Sequence, residues 1–280
     1  MGNRRKQLEG LRWVPRWASH VGCIKGCLNY LGIDVSDAWL FGATGHAFAL
    51  NISPGLCPSG PTDWDTSRFL KLGRNIGYIV ECIDEYCPKQ NHHLRQVQEQ
   101  AWDFTRRAID KNHPCYGWEL DIPEYFVIYG YDETGYYTLS CALDLGHNRR
   151  KWTDRAGGLE GYDTWIHAME AGVAGRFGLG YNAAVWAESR RFAVEFLKEA
   201  QERRDKNLEP LFTVALQHYS VVAQNLKIVS DTYPFRKCDN ECVPVDDQAR
   251  TVIEALTRAR DAEANGLDAL ARLVDSIPAS

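Results

Sequence analysis

Apolar and polar positions change rhythm several times over the first 150 residues, then hold one rhythm for the last hundred. Between 94 and 110, Val97, Ala101, Phe104 and Ala108 fall on one helical stripe. Residues 114–120 and 124–131 are rich in aromatic and β-branched side chains and read as strands, with 136–141 as the returning arm of a hairpin. Upstream, 20–31 predicts a short helix, entered by a loop that delivers Cys23 to its start. Residues 36–50 open on a Ser36 cap signal, break at Gly42 and Gly45, and pass into a strand over 47–52. Helical spacing returns around 65–73, and 78–83 is β-rich.

The C-terminal rhythm is helical throughout. Three long helices are expected near 182–205, 209–231 and 246–275. The second carries Phe212, Leu216, Tyr219, Val222 and Leu226 on one stripe and ends at Tyr233-Pro234. The pattern as a whole predicts an α+β fold: an α/β part over 1–150, a glycine-rich connector over 151–181, and a helical bundle over 182–280.

Composition narrows the function classes. The chain has 280 residues, of which 45% are apolar, enough to build a sizeable core. A net charge of −5 without a concentrated basic face argues against a nucleic-acid partner. No apolar stretch reaches bilayer-spanning length, and Met-Gly-Asn-Arg-Arg-Lys is no secretory signal, so a cytoplasmic protein without a membrane partner is expected. The nine cysteines are odd in number, and a disulfide framework is not expected. Cys82 with Cys87 and Cys238 with Cys242 lack the tight C-x2-C spacing, so no metal site is assigned. Gly175-Arg176-Phe177-Gly178-Leu179-Gly180 lacks a preceding strand, there is no Walker sequence, and no cofactor is expected.

The remaining chemistry centres on two segments about a hundred residues apart. Ser19-His20-Val21-Gly22-Cys23 would set a thiol at a helix start, where unpaired backbone N–H groups favour a thiolate. Pro123-Glu124-Tyr125 to Asp132 is a strand that could bring a partner side chain. His20, three residues before Cys23, and His46, after a glycine at a strand start, are further candidate bases, each also readable as a structural histidine.

Gly22-Cys23-x-x-x-Cys27-Leu28 with Tyr30-Leu31-Gly32 resembles the cysteine segment of the papain-like leader peptidases attached to bacteriocin exporters. It is more similar still to the butirosin biosynthesis protein H family, together with Leu40-Phe41-Gly42, Gly45-His46-Ala47-Phe48 and Tyr129-Gly130-Tyr131-Asp132. The resemblance implies a papain-like fold. It also implies acyl transfer from a carrier-protein thioester to an amine, or peptide cleavage, with Cys23 as the nucleophile. An acyl carrier protein and a small-molecule or peptide substrate would then be partners. The position of the peptidase histidine falls on Glu124, and the third member falls near Ser140 or Cys141. A glutamate near pKa 4.3 is a poor base for a thiol near 8.5.

A non-catalytic reading uses the same residues. Asp63 and Asp65 flank Trp64 in a Pro/Gly-rich loop over 53–66, and Glu119, Asp121 and Glu124 lie near Trp118 and Tyr125. Carboxylates beside aromatic rings suit an amine-bearing ligand. The pattern leaves open whether the helical part is a homodimer interface, a lid or a platform for a partner.

Overall fold

The computed structural model describes residues 5–62, 65–83, 92–120, 124–139, 156–204, 206–236 and 241–277. In chain order the elements are β1 (Lys6–Gln7), α1 (Ser19–Tyr30), α2 (Asp37–Ala43), β2 (Asn51–Ile52), α3 (Ser67–Leu72), α4 (His92–Asp110), β3 (Cys115–Trp118), β4 (Tyr125–Tyr131), β5 (Tyr136–Leu139), β6 (Ala156–Gly157), α5 (Leu159–Glu170), α6 (Arg176–Glu202), α7 (Glu209–Thr232) and α8 (Asp247–Asp275). The chain is a mixture of helix and strand with a helical C-terminal region, as the α+β expectation had it.

Two compact units form, and each uses two stretches of chain. The first comprises 1–35 and 77–147; the second comprises 36–76 and 148–280. This division differs from a boundary at 150, because 36–76 belongs with the helices. The expected connector over 151–181 also contains α5 and the first turns of α6.

In the first unit, β4 is the central strand of an antiparallel sheet. It pairs with β3 in the register Trp118↔Tyr125 to Cys115↔Ile128, with β1 through Lys6↔Tyr131, and with β5 through Tyr131↔Tyr136. Gly130 sits beside a register irregularity, where a side chain would come within 2.6 Å of the Lys6 carbonyl. Asp132 organises the following turn. It accepts from the Thr134 N–H at 2.7 Å and from the Tyr137 hydroxyl at 2.5 Å. Hydrogen bonds from Thr134, then Tyr137, hold its carboxyl well below the usual range. The Gly-Tyr-Asp signature is therefore a strand-and-turn device here.

Helix α1 packs on this sheet. Its core side is Cys23 and Cys27, joined by Leu8, Leu11, Ile109, Val127, Ile128 and Tyr131. At Gly22 a Cβ would approach the Val14 carbonyl to 2.4 Å, so only glycine lets the 12–14 segment lie against the helix. The helix ends in a left-handed Gly32, with the Ile33 N–H returning to the Leu28 carbonyl. The β-rich stretch expected over 78–83 adopts no regular element, and Ile79 is largely exposed.

The second unit is built on α5–α8, with α2 against α6. The Ser36 cap expected from the sequence is present, its hydroxyl oxygen accepting from the Trp39 N–H at 2.9 Å. The strand expected over 47–52 is a single 3-10 turn, His46–Phe48, followed by the two-residue β2 paired with β6. A fully buried Arg190 ties the unit together. It donates to Glu263 through Nε at 2.9 Å and Nη2 at 2.6 Å, and through Nη1 to the carbonyls of Ala47 and Ala49 at 2.9 and 2.6 Å. The Tyr162 hydroxyl donates to the same carboxylate at 2.5 Å. Matching its donors in this way offsets the cost of desolvating the buried pair.

Candidate functional site

Helix α1 begins at Ser19, which places Cys23 in its second turn rather than at its first N–H groups. This corrects the expected thiol at a helix start. The Gly22 N–H is already bonded to the Ala18 carbonyl, and the dipole effect fades beyond the first turn. Cys23 has no exposed surface and lies in the apolar cluster around Val127 and Ile128. Reactive thiols sit in electropositive, partly exposed surroundings, and this one does not. Its neighbour Cys27 has its thiol pushed far up by burial, with Cys115 adding to the effect, and burial pushes Cys115 up to about 11.

Glu124 meets the helix at its other end of that face. Its side chain is 1% exposed, and the Ser19 hydroxyl donates to Oε2. The same hydroxyl oxygen accepts from the Tyr125 N–H at 3.3 Å. Ser19 and Cys23 are four residues apart and so share a face of α1. The carboxylate thus lies at the first turn of the helix, where the dipole favours a negative charge. The hairpin that presents it is closed by a Glu119 N–H bond to the Glu124 carbonyl at 2.9 Å, with Glu119 held at φ 55°.

His20 packs against a side chain of each strand of this hairpin. Its ring stacks on Tyr125 at 4.3 Å and its Nε2 lies 3.2 Å from the Tyr116 hydroxyl. Burial lowers its pKa from 6.5 to about 4, so at neutral pH it is an uncharged imidazole. Burial likewise raises the Tyr116 phenol well above its ordinary value, keeping it a neutral hydroxyl. Trp118 packs on Tyr125 at 4.9 Å, and Tyr116, Trp118 and Tyr125 are each only half-buried. The result is an aromatic face with polar groups beneath it.

The expected site residues therefore divide. Cys23, His20, Glu124, Trp118 and Tyr125 come together in the first unit. His46 belongs to the second unit, where its Nδ1 is 3.0 Å from the Thr44 hydroxyl and its ring packs on Phe69 at 4.3 Å. Asp65 is also in the second unit, exposed, and accepts from the Ser67 N–H at 3.0 Å at the start of α3. The Ser67 side chain, and then that backbone bond, lower its pKa. Ser140, Asp63 and Trp64 lie outside the described residues. Ser19 is the participant that the sequence reading passed over; its position one turn before Cys23 was the available signal.

Among the described residues no group of three His, Cys, Asp or Glu side chains could hold a metal ion, and no helix is long and apolar enough to cross a membrane. No model of a known protein family, no curated protein and no solved structure matches this chain.

Proposed function

We propose that this chain is a catalytically silent papain-like protein whose aromatic hairpin face binds a small amine-bearing molecule without turning it over. The observation that carries the reading is the engagement of Glu124 by Ser19. The residue at the position of the papain-like base is held by a hydroxyl at the helix start, while the thiol one turn on is enclosed in the core. His20 does not replace that base. Burial pushes its imidazole down to about 4, which makes it a weak proton acceptor. What remains accessible is the half-buried set Tyr116, Trp118 and Tyr125, whose rings offer cation–π contact to an amine.

Two measurements test this together. Calorimetry with a panel of polyamines, aminoglycosides and lysine-containing peptides should give binding heat that Trp118→Ala removes and Cys23→Ala retains. Iodoacetamide labelling of the native protein, read by peptide mass spectrometry, should modify the exposed Cys82 and Cys242 and spare Cys23. Selective labelling of Cys23 with a midpoint well below about 8.5 would instead support a nucleophile and acyl transfer. No heat from any amine would remove the ligand class.

A further inference from the structure

Helix α7 carries an unusual exposed face. From Pro210 to Leu226 it contains no Asp, Glu, Lys or Arg. Its core side is Phe212, Ala215, Tyr219, Val222, Leu226 and Val229, all buried. Yet Val214, Val221 and Ile228 repeat at seven-residue intervals on the outside, 41%, 40% and 38% exposed. An ordinary surface helix sets charges opposite its core stripe, as α8 does with Arg250, Glu254, Arg258 and Asp261. An uncharged helix face with β-branched residues at heptad spacing is the form of a helix–helix contact.

The charges at the two ends identify the occupant. Glu209 and Lys227 are both exposed and eighteen residues apart, five whole turns, so they share one line along the helix; Lys227 also donates to Asp231 one turn on, at 2.8 Å, an exposed pair of small strength. Their midpoint is His218. The midpoint of Val214 and Val221 falls between Gln217 and His218. One two-fold axis through that point therefore sets Glu209 of one copy beside Lys227 of the other, and Val214 beside Val221, each twice. Such self-complementarity is what an isologous contact requires.

We propose that two copies of this chain pair through α7, antiparallel, about a two-fold axis near His218. At 24 residues the helix is about 36 Å long and can bury about 400 Å² per copy, half of a standard interface. The dimer is accordingly weak, with dissociation in the micromolar range.

Sedimentation velocity of the full chain over a concentration series tests this. The wild type should pass from monomer to dimer, and Val221→Glu should weaken the dimer by at least about tenfold. Glu209→Lys and Lys227→Glu should each weaken it, because each sets like charges together, and the double variant should recover to within about threefold of wild type. Circular dichroism checks that these exposed substitutions leave the fold intact. A wild type that stays monomeric to about 100 μM would overturn the proposal, including the case in which a different protein covers this face. A dimer indifferent to Val221→Glu, or a double variant no better than the singles, would also overturn it.

Discussion

The hydroxyl of Ser19 donates to the carboxylate of Glu124, two residues 105 positions apart in the chain. That bond joins the first turn of α1 to the β3–β4 hairpin. It makes the site a structural joint before it is anything else, and the joint has measurable strength.

Replacing Ser19 with Ala leaves a buried carboxylate short of a donor and removes the acceptor of the Tyr125 N–H. The expected loss is about 1–3 kcal/mol in urea denaturation. Glu124→Gln, which keeps an oxygen acceptor for the Ser19 hydroxyl, should lose less than Glu124→Ala.

His20 sets a pH dependence. Its folded pKa is lowered to about 4 against an ordinary 6.5, so the unfolded chain binds its proton more readily. Its contribution is intact above about pH 6.5 and is lost progressively as the pH falls toward 4, by about 2–3 kcal/mol. Denaturation midpoints between pH 7.5 and 4.5 should show this slope, and His20→Gln should flatten it.

Gly22→Ala separates packing from chemistry in the Gly-Cys signature. The added methyl would meet the Val14 carbonyl at 2.4 Å, and a loss of about 2–3 kcal/mol is expected. Gly55→Ala, which meets nothing within 4 Å, should be close to neutral. Equal stability of the two variants would contradict the close packing of the 12–14 segment on α1.

Arg190→Met strands the Glu263 carboxylate in the core and should cost about 3–5 kcal/mol. Adding Glu263→Leu should return only part of it, because the carbonyls of Ala47 and Ala49 lose their donor in either case. A double variant as stable as the wild type would show that those two carbonyls find other partners.

Periodicity identified the elements that bury a continuous stripe. The α4 helix, the β4–β5 hairpin and the three long C-terminal helices all follow from residue spacing, but α4 buries Thr105 and Ile109 while the expected stripe Val97, Ala101, Phe104 and Ala108 is only half-buried. It did not find the division into units, because what joins 36–76 to the helices is the packing of α2 on α6, with Phe41 stacked on Phe192 at 4.4 Å, and Arg190 reaching the carbonyls of Ala47 and Ala49, contacts with no local pattern. The site was half readable for the same reason. Cys23, Glu124 and Tyr125 could be picked out by residue type. That Cys23 lies a full turn inside α1, and that Ser19 holds Glu124, depend on a strand arriving from a hundred residues away. His46 and Asp65 were suggested by their chemistry, and the contacts that fix them, Thr44 with Phe69 and Ser67, lie in the other unit.

The interleaving of the two units also governs the order in which the chain can acquire structure as it is synthesised. Residues 36–76 leave the ribosome early, but the guanidinium that caps the Ala47 and Ala49 carbonyls comes from Arg190, and that guanidinium has its carboxylate only once Glu263 has emerged. At roughly 5–20 residues per second the segment waits about 10–40 s for its partners. During that time the first unit has all of its chain once residue 147 has emerged. The early segment is thus an open loop of one nascent unit before it becomes part of the other, and a nascent chain stalled between the two stages would expose Phe41, Leu50 and Ile52, which are all buried in the finished protein.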